Sequence, residues 1–487
     1  GKNDRQDLVF EIENLRREEN RLEEEIKADK EYIVECMMFM DKIRDIYNTM
    51  NLTPSNQPLW LLIKNQEFFK KPWDTVVNKF QRRMDQSLGK GAVSADYIKA
   101  LHALGYLPVL IKALPEGSRV DIRCPLFTIQ NTHPDFYWVT NYLETQISAE
   151  IWKPITTATT AYEYRRLFEH YADLTGAPKE FIPWQGHDFS YRGMSGIHDA
   201  TSNGAAHLTS FTGTDTISAI DYVEDYYGAT GLIGGSVPAT EHSVMCMGGS
   251  DDELGTFRRL VTELYPSGIV SIVSDTWDFW EVITGFTKTL KKEIMNRDGK
   301  VVFRPDSGDP VRIICGDHSA PKGSPAYKGA VECLWDVFGG SLTDRGYRVL
   351  DSHVGLIYGD SITLERARVI LQLLAEKGFA SSNIVFGIGS FTYQHVTRDS
   401  YGSAIKATAG IVGSEFRELY KDPKTDDGTK KSLRGFIRVE KEGDKFVPYD
   451  RQTEEQESRG LLAPVFKDGV LLRHQTLGEI RNLIEGK

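Results

Sequence analysis

Between residues 183 and 390 the chain repeats one pattern, in which a short apolar run is followed by a polar loop and a helical stretch. Short apolar runs of this kind are typical of parallel strands that are covered by helices on both faces. We therefore predict an α/β fold with a βα-barrel-like domain. The predicted strands are His207–Phe211, Ile269–Val273, Val301–Phe303, Gly355–Tyr358 and Ile384–Phe386.

Polar sequences come at or directly after the ends of these predicted strands. In chain order they contain GTDT, SDTWD, RPDSGDP, GDS and GIGS. In βα barrels and open α/β sheets the active site lies at the carboxyl ends of the strands. One acid there is an ordinary helix cap, but five polar strand ends in one segment predict a functional rim.

Four acids would share this rim, namely Asp215, Asp275, Asp306 and Asp360. Clustered carboxylates bind sugar hydroxyls and one or two Mg²⁺ ions at ribose and pyrophosphate sites. The glycine-rich sequence at 387–390 could offer backbone N–H groups to a phosphate at a helix start. It lacks the lysine and the spacing of a GxxxxGK(S/T) nucleotide loop, so by itself it is a weak signal.

Two further sequences carry chemistry-bearing residues. The loop HDFSYRG, residues 187–193, could stack a flat heteroaromatic ring and supply a cation, or it could be an interior turn with a buried phenylalanine. His242 follows a strand end that contains proline, and a lone histidine is more often structural than catalytic.

The remainder of the chain differs from the central segment. Residues 1–50 are charged, with apolar residues at 4-3 spacing, which predicts a long helix of coiled-coil character that packs on its own domain or on a partner. Residues 108–131 predict an antiparallel strand pair and thus a mixed or antiparallel sheet domain. We expect three units: the helix and linker 1–57, a helical and sheet domain 58–150 completed by about 390–487, and the catalytic domain 151–389.

Charge and composition exclude several classes of protein. A net charge of −11 argues against a non-specific nucleic-acid binder. No apolar run approaches the ~20 residues that span a bilayer, and the first residues lack a secretory signal pattern. The five scattered cysteines indicate neither a disulfide framework nor a zinc site. We therefore expect a soluble, cytoplasmic protein with no membrane or nucleic-acid partner.

The ordered set of motifs resembles the type II phosphoribosyltransferase family and, within it, the enzymes that use nicotinamide. The resemblance runs from about Trp60 to the end of the chain and leaves residues 1–57 outside it. The matching stretches are IKALPEGSRV, PLFTIQNT, WVTNYLET, HDFSYRG, FTGTDT, SVPATEHS, VSDTWD, FRPDSGDP, GDSIT, FGIGS and VTRD.

For the pyridine ring, the resemblance implies a stacking partner in Phe189, with Arg192 and Arg304 nearby. It implies that Asp215 accepts a hydrogen bond from the carboxamide nitrogen and that Ser236 positions the base. A carboxylate attracts an amide N–H and repels a carboxylate, so the residue type agrees with a preference for nicotinamide over nicotinate.

For phosphoribosyl pyrophosphate, the resemblance implies that Asp275 and Asp306 order the ribose and the Mg²⁺-pyrophosphate. It also implies that His242 is phosphorylated by ATP to drive the reaction. The ribose and the 5′-phosphate would be held by Gly359, Asp360, Gly389 and Ser390, and the phosphates by the basic residues Arg398, Lys406, Lys421 and Lys430.

The resemblance thus predicts transfer of the phosphoribosyl group to nicotinamide, which yields nicotinamide mononucleotide, with Mg²⁺ and ATP as cofactors and a homodimer whose sites are shared between subunits. The family's opening TDSYK sequence, which supplies a tyrosine to the pyridine site, is not found here. Two alternatives stay open: a nicotinate-using relative, and a binding or scaffold homologue whose catalysis is weakened by the altered N-terminus.

Overall fold

A computed structural model describes residues 68–420 and 432–486 of the chain. The predicted helix at 1–57 therefore lies outside the described residues. The strands are β1 (Val109–Ala113), β2 (Phe127–Asn131), β3 (Gly186–Asp188), β4 (Gly213–Thr214), β5 (Ser267–Val273), β6 (Asp298–Arg304), β7 (Gly340–Leu342), β8 (Arg348–Leu350), β9 (Val354–Tyr358), β10 (Val385–Ile388), β11 (Ala409–Val412), β12 (Glu415–Glu418), β13 (Phe436–Glu442), β14 (Lys445–Gln452), β15 (Ala463–Lys467) and β16 (Val470–Leu471).

Helices connect and cover these strands. The α-helices are Trp73–Leu88, Asp96–Leu104, Val139–Thr175, Ile182–Gln185, Ile197–His207, Ile217–Tyr227, His242–Met247, Glu253–Arg259, Phe279–Glu281, Thr287–Thr289, Lys291–Met295, Pro310–Cys315, Pro325–Lys328, Ala330–Phe338, Leu364–Glu376, Ser390–Tyr393, Glu454–Glu457 and Leu477–Ile484, with π-helical turns at Leu260–Leu264 and Val282–Phe286. Short 3-10 turns lie at Pro134–Phe136, Lys179–Phe181, Tyr191–Gly193, Ser250–Asp252 and Ser381–Asn383.

The central sheet has six parallel strands in the order β4-β3-β10-β9-β6-β5. Its two edge strands both bond to the segment 235–240: Thr214 N donates to Gly235 O at 3.0 Å, and Thr240 N donates to Ser271 O at 2.9 Å. This segment therefore joins the two edges of the sheet. The α/β class with a parallel sheet is confirmed, because each crossover carries helices that cover the strands.

One predicted strand is wrong. Residues 207–211 are not extended: His207 ends the helix Ile197–His207, and the strand comes later, at Gly213–Thr214. The helix is favoured because Gly204 allows close packing, and a Cβ added there would lie 2.8 Å from the Cβ of Ala219 on the next helix. His207 itself is buried, with Nδ1 2.7 Å from the Tyr393 hydroxyl and Nε2 2.9 Å from Gly213 O. The other four predicted strands overlap observed ones.

The second sheet is antiparallel, in the order β16-β15-β1-β2. β1 pairs with β2 from Val109 opposite Asn131 to Ala113 opposite Phe127, which confirms the antiparallel pair predicted at 108–131. In β1 the alternate residues Val109, Ile111 and Ala113 are buried, as expected for a strand with one face on a core. β15 comes from the C-terminal region, so sequence-distant segments complete this sheet.

The helix Val139–Thr175 links the two sheets. It is 37 residues long and ends at Gly176, whose φ of 71° is the left-handed conformation that glycine favours at a helix end. Ile147 packs in the core beside the antiparallel sheet, while Phe168 packs in the core around the parallel sheet. The helix runs through residue 150, and the predicted domain boundaries stay a prediction. Among the described residues, none of the helices is long and apolar enough to cross a membrane.

Candidate active site

The carboxyl ends of the parallel strands form a rim that carries most of the predicted site residues. Phe189 directly follows β3, and Asp215 directly follows β4. Asp275 and Asp306 each come two residues after the end of a strand, β5 and β6. The other members are Gly359 and Asp360 after β9 and Gly389 and Ser390 after β10. Because all six strands are parallel, their carboxyl ends meet at one edge of the sheet.

Phe189 is seated on two glycines of neighbouring strand ends. A Cβ added at Gly359 would lie 2.7 Å from Phe189 Cδ2, and one at Gly387 would lie 2.6 Å from Phe189 Cε2. The guanidinium carbon of Arg304 lies 5.8 Å from the centre of the Phe189 ring. Phe189 is half-buried, so one part of its ring stays accessible, and its stacking on a flat ring remains a prediction. Because Gly387 has no Cβ, the backbone of β10 can approach the face of the Phe189 ring.

A first prediction concerns Phe189: if its ring stacks on a flat substrate, Gly387→Ala should raise the KM for that substrate about tenfold, because the added Cβ would displace the ring. Steady-state kinetics with each substrate varied in turn would measure it. Gly478→Ala is the matched control, because the nearest atom to its added Cβ is 3.9 Å away. An unchanged KM in a folded Gly387→Ala variant would show that the contact between Phe189 and Gly387 does not position the substrate.

Asp215 lies in a polar triad with His187 and Ser236. Its Oδ1 is 2.8 Å from His187 Nε2 and accepts a hydrogen bond from the Ser236 hydroxyl. Burial opposes ionisation of Asp215. The hydrogen bonds of His187 and Ser236 and the charges of His187 and Arg304 together outweigh burial and hold the pKa of this carboxyl below its ordinary value. Among the described residues, no protein donor is bonded to Oδ2. Asp215 is thus an ionised acceptor with one oxygen fixed by the protein.

His242 and Asp275 form a pair on the other side of the rim. His242 Nε2 lies 3.2 Å from Asp275 Oδ1, and Asp306 N donates to Asp275 Oδ2 at 3.0 Å. The hydroxyl of Ser307 also donates to Asp275 Oδ2. The Asp275 side chain is 3% exposed, whereas that of His242 is 49% exposed. A buried carboxylate therefore holds a histidine that a solvent-borne ligand can reach.

Burial and neighbouring charges shift the pKa of Asp306 in opposite directions. Burial raises the pKa of Asp306 above its ordinary value, and the charge of Arg304, whose Nε lies 3.3 Å from Asp306 Oδ2, opposes the rise. The carboxylates of Asp275 and Asp360 add to the rise. The net effect is upward because burial, the largest cause, outweighs the charges of Arg304 and His242, which lower the pKa.

Two neighbouring carboxylates that are largely shielded from water are an environment that suits a divalent cation. Asp275 and Asp306 are neighbours, since Asp306 N donates to Asp275 Oδ2, and a cation beside them would offset the mutual repulsion of their carboxylates. No group of three or more His, Cys, Asp or Glu residues in the described part of the chain could hold a metal ion by itself. Mg²⁺ commonly takes one or two carboxylates together with substrate phosphates and waters, so the two acids fit a site that the substrate completes.

Apart from Arg304, the predicted basic residues that the structure describes are exposed. Arg192 is exposed on the turn Tyr191–Gly193, and Arg398 lies 3.5 Å from Asp399. Lys406 is exposed. Lys421 and Lys430 fall in 421–431, outside the described residues. The position of Arg192 near the pyridine ring and the phosphate-binding roles of Arg398, Lys406, Lys421 and Lys430 stay predictions.

Sequence reasoning missed two residues near this rim. His187 lies in the HDFSYRG motif, but the sequence gives no role for it. Only the fold shows that it is bonded to Asp215. Glu253 is buried, and its Oε1 has no hydrogen-bond partner in the described part of the structure. Burial, followed by the charges of Asp278 and Asp275, raises the pKa of Glu253 to about 7. In the sequence Glu253 is one of three consecutive acids at a helix start, which gives no sign of this environment.

Comparison with known proteins shows the family of the chain. Residues 184–469 match the model of the nicotinate phosphoribosyltransferase (NAPRTase) family. A protein of Acinetobacter baylyi named nicotinamide phosphoribosyltransferase is 61% identical over 423 residues, which cover 86% of this chain and 84% of that one. Proteins of the same name from Mycoplasma pneumoniae and Xanthomonas campestris pv. campestris are 39% and 35% identical, covering 70% and 77% of this chain and 73% and 79% of theirs.

A solved structure also aligns with the chain. The crystal structure of nicotinate-nucleotide pyrophosphorylase from Pyrococcus furiosus covers 78% of this chain and 80% of its own at 15% identity, with a TM-score of 0.47. That score is too low to support an inference about the site.

Proposed function

The chain belongs to the nicotinate phosphoribosyltransferase family, and on that premise we propose that it transfers the phosphoribosyl group of phosphoribosyl pyrophosphate to nicotinamide. The products are nicotinamide mononucleotide and pyrophosphate. The observation that carries the proposal is the ionised, anchored Asp215 at the rim beside Phe189. The three relatives described above, all named nicotinamide phosphoribosyltransferase, support the same substrate.

Asp215 explains the choice of base. Its Oδ1 is engaged by His187 and Ser236, so Oδ2 is the oxygen left to accept an N–H from a carboxamide. The lowered pKa of Asp215 keeps this acceptor charged at neutral pH. A nicotinate carboxylate at the same position has no proton to donate and is repelled.

Phe189 provides a face for the pyridine ring, with Arg304 next to it. In the proposed arrangement Arg192, exposed at the end of the same loop, closes over the substrate. A ring held by stacking and a single polar anchor has its nitrogen directed away from the anchor, toward the ribose site.

The ribose and the phosphates are assigned to the other strand ends. Gly359 and Asp360 would contact the ribose hydroxyls, while Gly389 and Ser390 would contact the 5′-phosphate. Asp275 and Asp306 would hold Mg²⁺ together with the pyrophosphate. When bound, the ion supplies positive charge that stabilises the pyrophosphate leaving group.

The reaction breaks the bond between the anomeric carbon and pyrophosphate and forms a bond from that carbon to the pyridine nitrogen. Positive charge develops on the ribose as the bond to pyrophosphate lengthens, and the nitrogen lone pair of nicotinamide captures the carbon. The Asp306 carboxylate stabilises the developing positive charge, and Arg304 stabilises the negative charge of the leaving group. Preorganised charges of this kind are usually the largest contribution to catalysis.

His242 is the proposed acceptor of a phosphoryl group from ATP. With Asp275 bonded at Nε2, the ring adopts the tautomer in which Nε2 carries the proton and Nδ1 presents its lone pair. Nδ1 would attack the γ-phosphorus, and the bond from that phosphorus to the ADP oxygen would break. A phosphorylated His242 next to Asp275 changes the charge where pyrophosphate binds, which couples ATP hydrolysis to substrate affinity.

We also propose a homodimer in which basic residues of each chain reach the partner's site. The exposure of Arg398 and Lys406, and the lack of any bond from them to the rim among the described residues, supports this assignment. Sedimentation with and without substrates would test it, and a monomer that is fully active would contradict it.

The second prediction is that product forms with Mg²⁺, phosphoribosyl pyrophosphate and nicotinamide, and that ATP raises its yield in wild type but not in His242→Ala. Mass spectrometry of nicotinamide mononucleotide would measure both. His318→Ala, on an exposed loop, is the control and should keep its response to ATP.

The other outcomes separate the alternatives. No product from a folded wild type that still binds its ligands would favour a scaffold homologue. Product from nicotinate in preference to nicotinamide would favour the nicotinate-using relative.

A further inference from the structure

A closed ring of four side chains lies beside the loop that carries Phe189. Lys153 Nζ lies 2.6 Å from Asp199 Oδ2 and also bonds to Gln394 Oε1. Gln394 Nε2 donates to Ser195 Oγ at 2.6 Å, and Ser195 N donates to Asp199 Oδ2 at 2.8 Å. We call this set of residues the Lys153 ring. Each of its members is bonded to two others.

The ring connects two parts of the proposed site. Ser195 ends the loop 189–195, which follows β3 and carries Phe189 and Arg192. Gln394 directly follows the helix Ser390–Tyr393, and its N donates to Ser390 O at 2.7 Å. The two loops also touch, because a Cβ added at Gly193 would lie 2.5 Å from Ser390 Cβ. The loops 189–195 and 389–394 are thus joined directly by the hydrogen bond from Gln394 to Ser195, and Lys153 ties both to the long helix through Gln394 and Asp199.

Lys153 is held rigidly. It lies in the long helix Val139–Thr175, directly before Pro154, and its side chain is only 11% exposed. Its partner Asp199 is further held by Asn203, whose Nδ2 donates to Asp199 Oδ1 at 2.9 Å. The Lys153 ring therefore anchors both loops to the long helix Val139–Thr175.

Stability alone does not account for a buried ion pair at this place. Taking two charges out of water carries a desolvation penalty that their attraction often only balances, and apolar residues of similar size are frequently as stable. A charged pair at this position, with hydrogen bonds that reach both substrate loops, suits a role in fixing geometry.

We propose that Lys153 is a positioning residue, which holds the loop 189–195 against the loop 389–394 and so sets the spacing between the nicotinamide and the ribose phosphate. This inference rests on the proposed function for its substrates. Without the ring, the two loops would occupy the correct spacing for only part of the time, and binding of both substrates would have to restore it.

The test is Lys153→Met, for which we expect KM to rise about tenfold for nicotinamide and for phosphoribosyl pyrophosphate, with kcat changed less than about threefold. Lys112→Met is the matched control. Lys112 is also a shielded lysine, paired with Glu457 in the antiparallel sheet, so its variant should lose stability without any change in either KM.

A double variant separates positioning from folding. Lys153→Met with Asp199→Leu leaves no unpaired buried charge, so its stability should return toward that of wild type. If the ring positions the loops, both KM values stay raised in the double variant. If KM returns to the wild-type value together with stability, the positioning role is overturned.

Hydrogen exchange gives a readout that does not depend on catalysis. In Lys153→Met, amides in 190–196 and in 389–394 should exchange faster together, whereas Lys112→Met should leave both segments unchanged. Should Lys153→Met fail to fold, Gln394→Met replaces it, because that change breaks the ring while keeping the ion pair. Unchanged exchange in both segments would overturn the inference, whereas a wild type that makes no product would overturn only the proposed function.

Discussion

In the Asp215→Asn variant, kcat/KM for nicotinamide should fall about 100-fold while that for nicotinate rises, because the site loses the charge that separates the two bases. The carboxylate accepts an N–H from the carboxamide and repels a carboxylate. An asparagine at this position can present its own N–H groups, and these suit nicotinate. His187 and Ser236 would continue to hold the side chain in place, so the change is in charge and not in position.

A competition assay with both bases present at equal concentration would measure the ratio of the two products directly. Asp221→Asn, an exposed residue on the helix Ile217–Tyr227, is the control and should leave the ratio unchanged. A preserved preference for nicotinamide in Asp215→Asn would show that another group chooses the base.

In the Asp306→Asn variant, kcat should fall about 100-fold, because a charge that stabilises the transition state is removed. The same change should increase the free energy of unfolding at neutral pH. Loss of activity with a gain in stability is the expected behaviour of a residue whose charge is needed for function and opposed by its surroundings.

The sign of the stability change follows from the pKa of Asp306. Burial, with Asp275 and Asp360 adding to it, raises this pKa above its ordinary value. The folded protein therefore binds the proton more tightly than the unfolded chain. The associated stability is present below the ordinary aspartate pKa and is lost as pH rises through the raised one. Asparagine, which does not ionise, avoids that loss.

Urea unfolding between acidic and neutral pH and a pH profile of kcat/KM would test both statements. In wild type the acid limb of the profile should lie above the range of an ordinary aspartate, and the limb due to Asp306 should vanish in the variant. Asp298→Asn, exposed at the opposite end of β6, is the control. A variant less stable than wild type at neutral pH would show that the pairing with Arg304 outweighs the burial.

The strands that build the rim were largely predictable because their signal is local. Apolar runs such as Ile269–Val273 and Val301–Phe303 match observed strands within a few residues, since a buried parallel strand needs a continuous apolar run. The prediction failed at 207–211, where HLTSF has the composition of a strand but the preceding glycine and alanines pack as a helix. Composition over five residues does not separate these two cases.

The placement of the candidate site residues at strand ends was also predictable, because the position of an acid after a strand is a property of the local sequence. The hydrogen-bond and ion-pair partners of each acid were not predictable. His187 and Asp215 are 28 residues apart and carry no joint pattern. Lys153 and Gln394 are 241 residues apart, and nothing near Lys153 in the sequence marks it as a neighbour of the site.

The sequence alone therefore determined the α/β class, the order of the motifs and the set of strand-end residues, since apolar runs and strand-end polar groups act over a few residues. Only the tertiary structure decided that Phe189 rests on Gly359 and Gly387, that Asp215 is anchored and ionised, and that burial raises the pKa of Asp306. Those properties depend on burial and on contacts between distant segments, which exist only once the sheet has brought its strands together.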